Sequence, residues 1–201
     1  MSRARRRGAA AAAVLACAVP LGIAQAQDSP PRKQDNIAVA TTEVDGANVF
    51  DFQWSLDRQK GGVVDHRNIA NAAARCTGCR ATAIAFQVVL ATGSPSSVTP
   101  HNQAVAINDQ CTQCVVYAGA RQFVRVVAGE ANFSEAGRAT LADVRQDLRA
   151  LESQDLDVAA LQAAVETQEA RVLNVLTTQV VTSDGKRSTY RSRRNLQAND
   201  S

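Results

Sequence analysis

Apolar and polar residues alternate between Phe50 and Leu56: Phe50, Phe52, Trp54 and Leu56 take every second place, with Asp51, Gln53 and Ser55 between them. A period of two places successive side chains on opposite faces of a strand. Ile37 and Val39 alternate with small residues upstream, and Val44-Asp45-Gly46-Ala47 puts a turn dipeptide between the two runs. The pattern predicts a β-hairpin whose aromatic face, with Trp54 as a core residue, needs a cover to be stable in water.

After Lys60-Gly61-Gly62 the spacing changes to three and four. Ile69, Ala72, Cys76, Cys79, Ala83, Phe86 and Leu90 form the stripe of an amphipathic helix, capped by Asp65 and ended by Gly93 and Pro95. Thr99-Pro100 opens a second helix, with Ala104, Ile107, Cys111, Cys114 and Ala118 along its stripe. The run Phe86-Gln87-Val88-Val89-Leu90 is β-prone and competes with this assignment. A shift of 35 residues superposes His66 on His101, Cys76 on Cys111, Cys79 on Cys114, Ala85 on Ala120 and Gln87 on Gln122. Phe52-Gln53 echoes Phe86-Gln87 more faintly. A duplicated helical unit is the economical reading of this repeat.

Farther on, Leu141, Val144, Leu148 and Leu151 form one stripe, and Val158, Leu161, Val165, Val172 and Leu176 another, with Asp155 placed to cap the second. These predict a helical hairpin that docks on the body or pairs with another copy. The expected fold is therefore mainly α with a small N-terminal β-hairpin (α+β), its duplicated CxxC-bearing helices followed by a helical hairpin. The expected domains are a β-hairpin plus CxxC helical domain over 36–133 and the helical hairpin over 134–181.

The ends carry a different kind of signal. Arg3, Arg5, Arg6 and Arg7, an apolar run from Ala9 to Ile23 and Ala24-Gln25-Ala26 have the layout of a signal peptide over 1–26. The run is too short to favour a membrane span, and no later segment is apolar enough for one. Residues 27–35 read as a flexible leader and 182–201 as a disordered basic tail. The formal net charge of +3 comes from the signal arginines and the tail, which leaves the body acidic and argues against a nucleic-acid partner. The expected location is secreted or envelope-associated, after cleavage near Ala26.

Cys76-Thr77-Gly78-Cys79 and Cys111-Thr112-Gln113-Cys114 are the strongest chemical signal. On antiparallel helices joined near Ser96, the four sulfurs meet at one level, Cys79 beside Cys111 and Cys76 beside Cys114. An oxidising exterior favours structural disulfides among Cys76, Cys79, Cys111 and Cys114. The alternatives are a tetrathiolate zinc site on the same four residues and a redox-active CxxC. His66 and His101 each stand ten residues ahead of a CxxC, too far along a helix to join its metal. Asp51, Asp57 and Asp65 read as strand-face or cap residues. No metalloprotease, nucleophile-elbow or phosphate-loop motif is present in the sequence. No catalytic residue and no resident cofactor are therefore expected.

Asn36-Ile37-Ala38-Val39-Ala40, Val63-Val64-Asp65, both CxxC segments, Val98-Thr99-Pro100 and Gln122-Phe123-Val124 resemble a region of actinobacterial exported or membrane-associated proteins. Some of these carry the label peptide zinc metalloprotease. The resemblance spans roughly residues 36–150 and implies an envelope location, with no protease zinc motif to carry over. The expected role is a structural or interaction module, its partner an envelope protein or a second copy through 134–181. The alternatives are a thiol-disulfide oxidoreductase and a zinc-binding domain associated with a peptide metalloprotease.

Overall fold

The computed structural model describes residues 34–183; the expected signal peptide over 1–26 and most of the expected leader (27–35) and tail (182–201) lie outside the described residues. The elements in chain order are β1 (Asn36–Thr42), β2 (Asn48–Lys60), β3 (Val63–Val64), β4 (Arg67–Ala74), β5 (Arg80–Thr92), β6 (Ser97–Val98), β7 (His101–Asn108), β8 (Val115–Val127), β9 (Ala131–Phe133), α1 (Glu135–Ala150), α2 (Val158–Thr178) and β10 (Val180–Thr182). β1, β4 and β7 pair in parallel, as do β2, β5 and β8, and β3 pairs with β6. The chain thus winds through successive coils of a β-solenoid, each coil stacked on the one before.

This overturns the mainly α expectation. The segments read as two CxxC-bearing helices are β4–β5 and β7–β8. Nor do β1 and β2 form a hairpin: each pairs in parallel with the next coil, β1 in the short-strand sheet and β2 in the long-strand sheet. The cause is burial on both faces. Every residue of β5 from Ala81 to Thr92 is buried, so alternation disappears from the sequence. The apparent helical stripe draws Ala72 and Ala83 from the coil interior and Phe86 and Leu90 from the opposite sheet face. Alanine, the strongest helix former, is used here for its size. Ala38, Ala40, Ala70, Ala72, Ala83 and Ala120 line the space between the two sheets and are all but fully buried.

The 35-residue repeat is the coil itself, since Ala85 lies opposite Ala120 and Gln87 opposite Gln122. The weaker echo was out of register, because Trp54 and Ser55, and not Phe52 and Gln53, face Phe86 and Gln87. A ladder of buried amides runs through the coils. Asn36 Nδ2 donates to Asn68 Oδ1 and Asn68 Nδ2 to Asn102 Oδ1, both at 2.8 Å. The same amides reach across to the long-strand sheet, Asn68 Nδ2 to the Ala85 carbonyl and Asn102 Nδ2 to the Ala120 carbonyl, each at 3.0 Å. Gln122 Nε2 donates to Gln87 Oε1 at 2.7 Å in a second, shorter ladder.

The outer face of the long-strand sheet carries the large side chains. Ile84, Phe86, Leu90 and Phe123 bury against Leu141, Val144 and Leu148 of α1 and Leu161, Val165 and Leu176 of α2. Trp54 is half-buried at the edge of this layer and stacks on Phe86, with centroids 6.2 Å apart. Ser134 caps α1 by accepting from the Gly137 amide, and Asp157 caps α2 through the Ala160 amide at 2.7 Å. Asp155 is not the cap; it pairs with Arg80 at 3.0 Å. A part-buried ion pair, Arg121 to Glu169 at 2.8 Å, ties α2 to β8. Among the described residues, no helix is long and apolar enough to cross a membrane.

Replacing Asn68 with alanine removes the middle rung of the ladder and strands a buried carbonyl and an amide oxygen. The expected loss is about 2–3 kcal/mol, read as a lower urea midpoint at unchanged slope. The same change at Asn71, on the outer face, should cost well under half as much.

Candidate four-cysteine site

Each coil passes from the short-strand to the long-strand sheet through a tight corner. Residues 43–47 form the corner in the first coil, 75–79 in the second and 109–114 in the third. Backbone and side-chain hydrogen bonds fix these corners against one another. The Thr77 amide donates to Asp45 Oδ1 at 2.7 Å, the Gly46 amide to the Thr77 carbonyl at 2.9 Å, and the Gly78 amide to the Thr112 carbonyl at 2.8 Å. Thr77 and Thr112 also form an isolated parallel bridge.

Tight corners need one left-handed residue, supplied by Gly46, Gly78 and Gln113 with φ of 70°, 63° and 59°. The third corner holds an additional residue, Gln110, also left-handed at φ 50°. It accounts for the coil spacing growing from 34 residues at Asn68–Asn102 to 35 at Gln87–Gln122.

The cysteines occupy matching places in the second and third corners. Cys76 and Cys79 lie at disulfide distance with Cα atoms 6.1 Å apart, and Cys111 and Cys114 likewise at 5.8 Å. The bridges therefore close within each motif, and not across the coils between Cys79 and Cys111 or Cys76 and Cys114. Across the coils the sulfurs still touch: Cys79 Sγ lies 3.2 Å from Cys114 Sγ and 4.0 Å from Cys111 Sγ. All four ligand atoms fall within 4.8 Å of one another. The Cys76 amide donates to Cys111 Sγ at 3.4 Å, and Cys114 Sγ sits 2.9 Å from the Cys76 carbonyl oxygen. Cys76 and Cys79 are buried, while Cys111 and Cys114 are half-buried. Arg80, directly after Cys79, binds the Leu156 carbonyl and Asp155, so the loop joining α1 to α2 is anchored beside this corner.

The other candidate residues lie apart from the cysteines. His66 and His101, read as helix starts, precede β4 and open β7, at the far ends of those strands from the cysteine corners. His66 is buried, with Nε2 3.0 Å from Gln59 Oε1 and Nδ1 3.7 Å from Asp57 Oδ2. His101 is exposed, 3.6 Å from Asp65 Oδ1. Asp51 accepts the Val39 amide at 2.7 Å at the first-coil edge. Among the described residues, the four cysteines are the one group of three or more His, Cys, Asp or Glu side chains close enough to share a metal.

Asp45-Gly46 was read as a turn and forms one, but the part that Asp45, Thr77 and Thr112 play in holding successive corners together escaped the sequence reading. The signal for them was the match between Val44-Asp45-Gly46-Ala47 and Cys76-Thr77-Gly78-Cys79. The chain matches no protein-family model, no curated protein and no solved structure.

Arg75 and Arg80 bracket the first motif, so trypsin releases a short peptide holding both Cys76 and Cys79. Without reduction, that peptide should appear alone and lighter by the two hydrogens lost on oxidation. Finding it joined to the peptide with Cys111 and Cys114 would refute bridging within the motifs.

Proposed function

We propose that this chain is an exported cell-envelope protein that acts as a structural or interaction module, stapled at one corner by its four cysteines. The observation that carries the reading is the placement of the sulfurs. They sit in consecutive coil corners, where each bridge closes its own corner and backbone hydrogen bonds join that corner to the next. The first coil makes the same corner with Val44 and Ala47 in the matching places, so cysteine is not required to make the turn. Export is supported by the arginine-led apolar run and Ala24-Gln25-Ala26, and an oxidising compartment suits the two bridges. The resemblance to exported actinobacterial proteins supports the envelope location.

A bridge across four residues restricts the unfolded chain modestly, by about 2 kcal/mol in the chain-entropy picture. Reduction should therefore lower the melting temperature by several degrees while leaving the strand signal in circular dichroism at room temperature. An unchanged melting temperature after complete reduction would remove the stapling role. Protein recovered from outside the native cells should begin at Gln27 or Asp28; a chain starting at Met1 would contradict the proposed processing.

A further inference from the structure

We infer that the reduced cluster is a tetrathiolate zinc site, and that a low-molecular-weight disulfide exchanges the metal for the two bridges. The inference deepens the stapling reading and rests on it. Zinc binds four cysteine sulfurs tetrahedrally at about 2.3 Å, which sets neighbouring sulfurs about 3.8 Å apart. The contacts from Cys79 to Cys114 and Cys111, 3.2 and 4.0 Å, straddle that edge, and no pair among the four exceeds 4.8 Å. The cross-coil pairs already stand near that spacing, and once reduced, Cys76 and Cys79, and Cys111 and Cys114, part by side-chain rotation to take up the ion.

The backbone supplies the second argument. Gly78 is held to Thr112, and Val115 to Cys79 through an amide–carbonyl bond of 3.0 Å. The corners are thus fixed by bonds that do not depend on either disulfide, and reduction leaves four thiols in one place. The Cys76 amide already donates to Cys111 Sγ, the kind of outer-shell bond that steadies a metal-bound thiolate. Half-buried Cys111 and Cys114 give the ion a way in. Ligand number is set by the sequence, since Val44 and Ala47 take the matching places in the first coil and the stack offers four sulfurs.

The exchange balances. Two molecules of a small disulfide each accept two electrons and leave as two thiolates. The four zinc-bound thiolates become the bridges Cys76–Cys79 and Cys111–Cys114, and one Zn²⁺ is released.

The test uses the full chain reduced with a phosphine, first with Co²⁺ and then with Zn²⁺. One equivalent of Co²⁺ should give thiolate charge-transfer and tetrahedral ligand-field bands, which Zn²⁺ abolishes. Cys114→Ser should weaken binding by about tenfold or more. In the unsubstituted chain, Zn²⁺ should protect all four cysteines from alkylation, which keeps the test informative where the variant does not fold. Adding a small disulfide to the zinc form should release the metal in step with loss of free thiols. A reduced, folded chain that binds no metal, or metal retained after Cys76 and Cys111 are both changed to serine, would overturn the inference. A reduced chain that unfolds and is not rescued by zinc would overturn it too. The stapling reading fails on a different measurement, a melting temperature indifferent to reduction in the absence of metal.

Discussion

The in-register stacking of parallel coils is the constraint from which the rest of the structure follows. Neighbouring strands lie about 4.8 Å apart, so each residue's nearest companion is its counterpart one coil away. Asn36, Asn68 and Asn102 meet because of this, and the middle amide, Asn68, accepts from Asn36 and donates to Asn102. A single buried asparagine between two sheets would be costly; stacked, it becomes a specificity device that penalises any slip of register. The alanines obey the same logic. Side chains that repeat from coil to coil must also clear the facing sheet, and the asparagines span it to reach the Ala85 and Ala120 carbonyls.

A parallel sheet needs both faces covered, and the two helices meet that need on one side. The long-strand sheet turns alanine inward and Ile84, Phe86 and Leu90 outward, where α1 and α2 lie. The pair Arg121–Glu169 and the Arg80 anchor beside the cysteine corner fix the helical layer at two separate places. At the first-coil edge, Asp51 turns to accept the Val39 amide, so one outward-facing strand donor is satisfied without another strand.

The amphipathic stripes of α1 and α2 were legible because those helices bury one face each. Leu141, Val144, Leu148, Leu161, Val165 and Leu176 all reach the core, and Ser134 caps α1. The strand character of β2 was legible for the opposite reason: lying at a sheet edge, it keeps a polar inner face. β5 and much of β8 were misread because burial on both faces erased their alternation, while along β4 and β7 and into the corners after them alanine and cysteine at mixed spacings imitated a helical stripe. A better signal was present. Asn36-Ile-Ala-Val-Ala, Asn68-Ile-Ala-Asn-Ala and Asn102-Gln-Ala-Val-Ala repeat an Asn-x-Ala-x-Ala pattern of period two once per coil. It fell outside a fixed 35-residue shift because the first two copies are 32 residues apart and the next two 34. A repeat whose length drifts, through the longer turn after β5 and the extra Gln110, is invisible to one rigid offset.

The cysteine cluster was found by the wrong route. Helices packed antiparallel lie about 8–10 Å apart, so bridges from Cys79 to Cys111 and from Cys76 to Cys114 would have needed the close approach that alanine permits. Stacked corners bring the backbones to strand spacing instead, and within each corner a three-residue step already places two sulfurs together. Proximity across the coils then comes without a covalent bond, and connectivity within each motif follows from the turn. The same arrangement separates two things that the helical picture had joined, the position of the thiols and their covalent state. Hydrogen bonds among residues 45, 46, 77, 78 and 112 set the first. The second is left to the surroundings, and the proposed exchange of the two bridges for a shared ion rests on that freedom.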